Sequence, residues 1–594
     1  MTDMRRTLLW VVFSMSLVLI WDAWNRHNGK PSLFGPSPVA TAASAGATPA
    51  PGALPTPTPT TAIAAGSAAP VNAPSTAASA PEAKLITFST DLVKATLDSK
   101  GGDLVRLELL AQQEHVDKRW YEPFLGLVSG ASKVADRKNV VLFDRTAQRF
   151  YTAQTGLIPP AGGKGLPNHL TVMEWVPGDM TLRDGSHELQ AKFESPEVGG
   201  VKLVKTYTFR RGDYVVGVQH EVINRSGAPV NPRLYLQLVR DGNPPAGESS
   251  FYFTFTGPAI YTEAGKFQKI DFKSIEKHKP EDKPDHVVTG DDGWVAMVQH
   301  YFASAWLADP AGAAKLPREF YTGKADIVND ATGGTAHVYS VGMFLPLGEI
   351  GPGASKAFDA RLFAGPQEEN KLAALAPGLE LVKDYGWFTI LSKPLFWLLT
   401  QLHQLLGNWG FAIVALVVLL KIAFYWLNAK AYASMAKMKA INPKVMEMRE
   451  RLKDKPQQMQ QEMMRIYREE KVNPLGGCLP IFVQMPFFIA LYWVLLSSVE
   501  MRNAPWIGWI TDLSAKDPYF ILPLLMTATS MFQTWLNPTP ADPVQAKMMW
   551  IMPLVFSVMF FFFPAGLVLY WLTNNILSIT QQYLINKQLG VIGK

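Results

Sequence analysis

The sequence predicts a membrane α-helical protein with six transmembrane helices and one large antiparallel β-sandwich. Three observations carry that prediction. Six apolar runs of about bilayer-crossing length punctuate the chain, one at the N-terminus and five after residue 408. Between them, over residues 84–366, apolar and polar residues alternate at the period of a strand. The composition, 48% hydrophobic and 18% charged over 594 residues, suits a mixture of spans and polar domains better than a uniform soluble protein.

The first run lies in MTDMRRTLLWVVFSMSLVLIWDAW. Two arginines precede it, and it ends in Trp21-Asp22-Ala23-Trp24 rather than in a small-x-small cleavage site. Residues 1–28 are therefore expected to form an uncleaved signal anchor with its N-terminus in the cytosol. No charged residue occurs from Pro31 to Pro81, and residues 29–83 read as a disordered Ala/Pro/Thr-rich tether.

Within residues 84–366, DYVVGVQHEVINR places Tyr214, Val216, Val218, His220 and Val222 on one side of a strand. RLYLQLV alternates Leu234, Leu236 and Leu238, and FYFTFTG alternates Phe251, Phe253 and Phe255. His220 reads as a packed core histidine. Residues 367–408 follow as a linker helix (EENKLAAL) and a short apolar helix. Ser392 is expected to cap that helix, Pro394 to sit in its first turn, and the helix to lie flat on the outer membrane surface, with packing inside the β domain as the alternative.

The remaining spans are expected over Trp409–Asn428, Leu479–Ser498, Pro518–Leu536, Met548–Phe563 and Gly566–Asn586. The stretch 409–428 is thus the second span, and 479–586 holds four more. The loop 429–478 carries eleven basic residues against six acids, whereas the next loop carries Arg502 and Lys516 against Glu500, Asp512 and Asp517. The basic loop belongs inside, which puts the β domain outside and both termini, including the short tail 587–594, in the cytosol.

Lys421 lies inside the second span, about 10 Å from its expected cytosolic end at 1.5 Å per residue. Side chains lean towards a helix's N-terminus, so this one leans away from the nearer water. Snorkelling to the interface is the simpler reading. The other is a polar environment, and the neighbouring spans offer one. Tyr425 and Asn428 share the face of Lys421. Thr527, Ser530 and Thr534 form a stripe on the fourth span with Gln533 beside it. Tyr570, Asn574, Ser578 and Gln581 form one on the sixth, and Gln484 stands near the start of the third. Most fall in the cytosolic half, as in a wet cavity that stops midway; interhelical bonding is the alternative use of such stripes.

The loop 429–478 reads as a cytosolic helical hairpin turning at Asp454-Lys455-Pro456 and holding seven methionines. Met459, Met463 and Met464 could receive varied apolar partners, the hairpin could be zipped on its own methionines, and its bases could meet anionic lipids. No Walker loop, GxSxG, HExxH or dinucleotide fingerprint occurs, and Cys478 is the sole cysteine. No catalytic residue, cofactor or metal site is expected, the chain is expected not to be an enzyme, and a net charge of +6 gives no argument for nucleic acid.

YASMAKMKAINPKVMEMRERLKDKPQQMQQEMM, EEKVNPLGGCLPIFVQMPFFIALYWVL, DLSAKDPYFILPLLM and FFPAGLVLYWLTNN resemble the bacterial YidC membrane protein insertases over about residues 384–585. The signal anchor, tether and β domain resemble the Gram-negative form, whose β domain is super-sandwich-like. The resemblance implies a five-helix core around a hydrophilic groove open to cytosol and lipid. Lys421 then supplies the groove charge, at a position where the family usually has arginine. Tyr425, Gln484, Thr527, Ser530, Gln533, Asn574 and Gln581 form the polar lining. Met485, Phe488, Val555, Met559, Tyr570 and Trp571 form an apolar slide for a substrate helix. The implied function is insertion and folding of nascent inner-membrane proteins, alone or with the Sec translocon (SecYEG, SecDF). The ribosome and the signal recognition particle are further implied partners. The competing readings are a secondary transporter or channel with Lys421 as substrate or ion site, and a membrane-anchored enzyme acting on sugars.

Overall fold

The structure is a computed structural model. It describes residues 83–114, 138–146, 148–160, 163, 165–245, 254–279, 284–308, 315–328, 335–452, 455–470, 479–537 and 543–588. The expected signal anchor, almost all of the tether and the last six residues lie outside them. The described chain divides into a β unit ending at Asp384 and a helical unit from Tyr385 onward.

In the β unit, the described residues form two nine-stranded sheets with antiparallel pairing. One runs from Leu85–Ser89 at one edge to Thr289–Gly290 at the other. The second runs from Lys266–Lys269 to Glu174–Val176. The expected alternation appears in Glu188–Glu194, where Leu189, Ala191 and Phe193 are buried between exposed neighbours. Val216, Val218, His220 and Val222 share a buried face.

Two details differ from expectation. Leu234, Leu236 and Leu238 are buried, but so are Tyr235, Gln237 and Val239. Their strand, Arg233–Asp241, lies between Phe150–Ile158 and Thr335–Pro346, and Tyr321 and Phe344 cover Tyr235 on its other face. Alternation cannot report burial on both faces. In FYFTFTG, residues 251–253 lie outside the described residues and Thr254–Thr256 are not strand. The ladder begins at Gly257, opposite Val298.

A polar bridge joins the two sheets through the core. Lys205, fully buried, donates to the carbonyls of Gly101 (2.6 Å) and Thr155 (2.9 Å), with the Asp103 carboxylate at 3.4 Å. His220 Nε2 lies 2.9 Å from Thr155 Oγ1, and His169 Nδ1 lies 2.6 Å from the Tyr235 hydroxyl. Burial raises the Asp103 carboxyl to about 7 against the pull of Lys205, and holds the Lys205 amine below its usual value. Burial, with the Lys205 charge, lowers His220 to about 3 and His169 to about 4.

Two short helices belong to this unit, α1 (Phe272–Lys277) and α2 (Glu369–Leu375), the latter as EENKLAAL predicts. Gly378 then turns the chain at φ +73°, where a Cβ would come within 2.3 Å of the Tyr261 ring.

The helical unit contains α3 (Thr389–Leu406), α4 (Trp409–Ala423), α5 (Tyr425–Arg451), α6 (Pro456–Glu469), α7 (Leu479–Ser497), α8 (Ile521–Leu536), α9 (Pro543–Phe560) and α10 (Ala565–Gln588). Helix α3 corrects the expected cap. It starts at Thr389, Pro394 is its sixth residue, and Ser392 is buried with its hydroxyl donating to the Ala490 carbonyl of α7 at 3.3 Å. Ser392 thus docks the helix instead of starting it. Ile390, Trp397 and Leu405 remain exposed on its other side.

The expected straight span Trp409–Asn428 is broken. Asn408 caps α4, its side chain accepting from Phe411 N, but the helix ends at Ala423 and α5 leaves at 68°. Phe424 sits at the break, its ring edge-on to Phe487 at 5.1 Å. Fifteen residues rise about 22 Å, short of about 30 Å of hydrocarbon. Among the described residues no single helix is long and apolar enough to cross a membrane. By length and composition, the bent pair Trp409–Ala423 with Tyr425–Met438 is. Helix α5 runs through Pro443 and pairs with α6 as the expected hairpin, whose residues 453–454 lie outside the described residues. Lys444 bonds Glu470 at 2.6 Å across it, and Arg451 faces Glu462 at 3.9 Å. Charge pairs therefore join the two helices of the hairpin.

Candidate functional site

Helices α4, α7 and α10 hold the site. In α4 the run WGFAIVALVVLLKIA is apolar except for Lys421, and α10 carries polar residues on two sides. A small cleft with about 20 Å³ of enclosed space, open on one side to the surroundings, lies between them. Lys421, Gln484 and Asn574 are its polar lining, and Phe424, Phe488 and Tyr570 are prominent among its apolar wall.

The Lys421 ammonium is half-buried and donates to Ser578 Oγ at 2.6 Å; that hydroxyl donates on to the Asn574 carbonyl at 2.7 Å. No carboxylate pairs with the amine among the described residues. Gln484 Nε2 donates to Asn428 Oδ1 at 2.9 Å, tying α7 to the first turn of α5. Gln581 Nε2 reaches the Tyr425 carbonyl at 3.4 Å, next to the helix break. Three buried polar atoms around these groups have no protein partner: Asn428 Nδ2, Gln581 Oε1 and the Tyr570 hydroxyl. Such atoms are costly in a dry interior.

The expected lining is thus only partly assembled. Lys421, Gln484 and Asn574 meet in the cleft, and Gln581 adjoins it. Tyr425 is half exposed and does not line it. The α8 stripe lies elsewhere. Ser530 Oγ accepts from Asn575 Nδ2 at 2.9 Å, and Thr527 donates to its own helix at Pro523. The interposed α10 presents Asn574 to the cleft and Asn575 to α8, so Ser530 serves as an interhelical bond, while Thr527 and Thr534 bond carbonyls of their own helix. Gln533 is half-buried on the same helix. Asn575 is the residue that periodicity did not single out. Ser578 stood in the α10 stripe, but its partnership with Lys421 needed the fold.

The expected slide also divides. Phe488 packs against Tyr570 (6.2 Å between centroids) and Trp571 (6.1 Å), and Phe560 meets Trp571 at 5.9 Å. Tyr570 is buried at 2% exposure, inside the cleft wall. Met485, Val555 and Met559 are exposed on α7 and α9. In the hairpin, Met459 and Met463 are half-buried and Met464 is exposed. Among the described residues no group of three or more His, Cys, Asp or Glu is placed to hold a metal.

At the other end of the bundle the segment 498–520 joins α7 to α8. Its backbone takes up the first amides of α10: Ala565 N donates to Ala515 O (2.6 Å) and Gly566 N to Leu513 O (2.8 Å). The cleft therefore adjoins the end of α4 remote from this loop, whereas on α10 it begins at Tyr570, five residues from the amides the loop binds.

Comparison with known proteins places both halves. Residues 85–398 match the family described as the YidC periplasmic domain, and residues 401–591 match the 60Kd inner membrane protein family. The chain is 53% identical to a membrane protein insertase YidC of Cupriavidus necator, over 99% of this chain and 98% of that protein. It is 49% identical to one of Janthinobacterium sp. (strain Marseille), over 99% and 100%. Among solved structures, an active YidC insertase crystal structure with the first transmembrane domain resolved aligns at 18% identity and a TM-score of 0.37, covering 84% of this chain and 92% of that one. With two family models side by side and relatives matched from end to end at about half identity, the chain belongs to the YidC family of membrane protein insertases.

Proposed function

We propose that this insertase, a protein of the bacterial inner membrane with a periplasmic domain, admits the polar segment of a nascent membrane protein into the cleft between α4, α7 and α10. The ammonium of Lys421 attracts acidic residues of that segment. Water in the cleft shortens the apolar barrier the segment must cross, and the adjoining apolar helix leaves along the exposed side chains of Met485, Val555 and Met559. Partitioning of about 20 apolar residues supplies the driving force. The membrane potential adds about 2.3 kcal/mol per charge per 100 mV for acidic tails. No covalent bond is made or broken, and the protein is not an enzyme.

The observation that carries this reading is an amine without a carboxylate partner in a cleft walled by apolar helices. A lone intramembrane cation is expensive and marks function by default. The partnerless atoms of Asn428, Tyr570 and Gln581 support a hydrated cleft, because water or a substrate's polar groups would meet them.

The topology proposed with it has six spans, the anchor within residues 1–28 and five formed by α4 with the start of α5, then α7, α8, α9 and α10. The hairpin α5–α6 and both termini are cytosolic. Residues 29–83 are the tether, 84–366 the periplasmic β domain, and α3 lies in the outer interface with Trp397 and Leu405 towards lipid. Nascent chains dock on the hairpin near Met464. Delivery by the ribosome and signal recognition particle, cooperation with the Sec translocon and contact of the basic hairpin with anionic lipids belong to the same proposal. Photocrosslinkers at Gln484 and Asn574 during translation test it. The account expects adducts with the polar tail of an arrested substrate, and tails that never react there would refute it.

A further inference from the structure

The motif DLSAKDPYFILPLLM contributes nothing to the cleft, yet its loop binds the first turns of three helices. Asn408, besides capping α4, donates from Nδ2 to the carbonyls of Pro505 and Trp506, both at 3.1 Å. The Trp506 ring lies against Gly410, where a Cβ would come within 2.1 Å of it. Leu513 and Ala515 accept from the first amides of α10. Asp517, 2% exposed, makes the link to α8. One carboxylate oxygen accepts from Trp509 Nε1 and Tyr519 N, both at 3.0 Å, and the other from Leu522 N at 2.7 Å. Phe520 beside it is held at φ +57°, uncommon for a residue with a side chain. A carboxylate spending its acceptors on two backbone amides and an indole is a fixed joint, since every lost bond would leave a buried polar group unpaired.

We infer that segment 498–520 is an ion seal over the closed end of the cleft, and that Asp517 is the positioning residue that keeps it shut. The inference rests on the half-depth cleft proposed above. Tyr570, in the cleft wall, is five residues from the start of α10 at Ala565, about 7.5 Å of helix. A cleft that admits hydrated segments to that depth leaks ions unless its last turn is plugged. The loop supplies the plug: Met501, Ile510 and Leu513 are buried in it, and its backbone is bonded to the helix starts on three sides.

The test is ion flux through full-length protein in liposomes, beside insertion of a substrate with a neutral tail. Asp517→Ala is expected to raise the flux at least tenfold and to keep insertion within about twofold. Trp509→Phe, which removes one donor and keeps the ring's bulk, is expected to move flux the same way by less. In the Asp517→Ala background, Lys421→Glu is expected to turn the leak from anion- to cation-preferring, because the ions pass that side chain. A folded Asp517→Ala protein as tight as the unaltered one overturns the inference. So does a leak whose selectivity ignores residue 421, which marks general loosening. If Asp517→Ala does not fold, Trp509→Phe decides alone: a tight protein overturns the inference and a leaky one supports it. Separately, Asn574→Cys labelled by an impermeant reagent reports the cleft. Labelling with a tight Asp517→Ala sinks the seal alone, and no labelling sinks the cleft on which it rests.

Discussion

Replacing Lys421 by alanine removes the one charge in the cleft and leaves Ser578 with its bond to Asn574. An ammonium has three donors and Ser578 takes one, so two remain for an incoming carboxylate. A charge-assisted hydrogen bond contributes about 1.5–3 kcal/mol net. Two unit charges 4 Å apart at an effective dielectric constant of 20 set a ceiling of about 4 kcal/mol. A wet cleft argues for the smaller figure, which corresponds to insertion about 10- to 100-fold slower. That loss applies to tails carrying Asp or Glu. Tails of Ser and Asn should change less than about threefold, since they use the water and not the charge. Lys421→Arg keeps the charge and should restore most of the rate. The assay is protease protection of matched substrates inserted into proteoliposomes. Equal rates for alanine and lysine with acidic tails would refute the electrostatic role, and an equal loss for neutral tails would make Lys421 structural.

Further outcomes follow from the same geometry. Crosslinkers at Met485 and Met559 should capture the apolar helix of an arrested substrate, and silence at both would exclude that exit. Asn428→Ala removes the acceptor for Gln484 across the α5–α7 junction. It should loosen the start of the hairpin helix by about 1 kcal/mol, read as faster amide exchange at residues 425–430; unchanged exchange would contradict the latch. In the β domain, His220 and His169 are buried with folded-state values near 3 and 4, below the unfolded 6.5. Stability from a depressed histidine is present above pH 6.5 and is lost as the pH falls towards the folded value. At pH 5 each contributes a loss of about 2 kcal/mol. The raised Asp103 acts oppositely, gaining stability as the pH falls through about 7. His220→Gln should therefore spare about 2 kcal/mol of the loss between pH 7 and pH 5 in denaturant titrations. Parallel curves for the two proteins would show that His220 is not the group responsible.

Much of this was legible in residue patterns. The one-sided burial of Val216, Val218 and Val222 and the succession of apolar helices follow from periods of 2 and 3.6, which depend only on local geometry. Lys421 drew notice because its charge interrupts an apolar run. The misses share another cause. The break at Phe424 has no proline or glycine within ten residues, and it and its neighbours are held by Phe487, Gln484 and Gln581 from other helices. Ser392 looks like a cap until α7 is beside it. The polar stripe of α8 has the spacing of a lining, yet its Ser530 bonds Asn575. Asp517 counts as an acidic loop residue in a charge tally but is one of the more buried carboxylates of the helical unit. Lys205 sits in a strand as an ordinary solvent-facing lysine would, and only the opposite sheet reveals the acceptors that hold it.

Water depth is the central quantity, and cysteine accessibility along α10 measures it. With Cys478 replaced by serine, single cysteines at Leu567, Asn574 and Ser578 would be offered to a membrane-impermeant thiol reagent from each side. The account predicts that positions 574 and 578 react from the cytosolic side only and that position 567 reacts from neither. Reaction at 574 from the periplasmic side, or none at 574 and 578 from either, would contradict it.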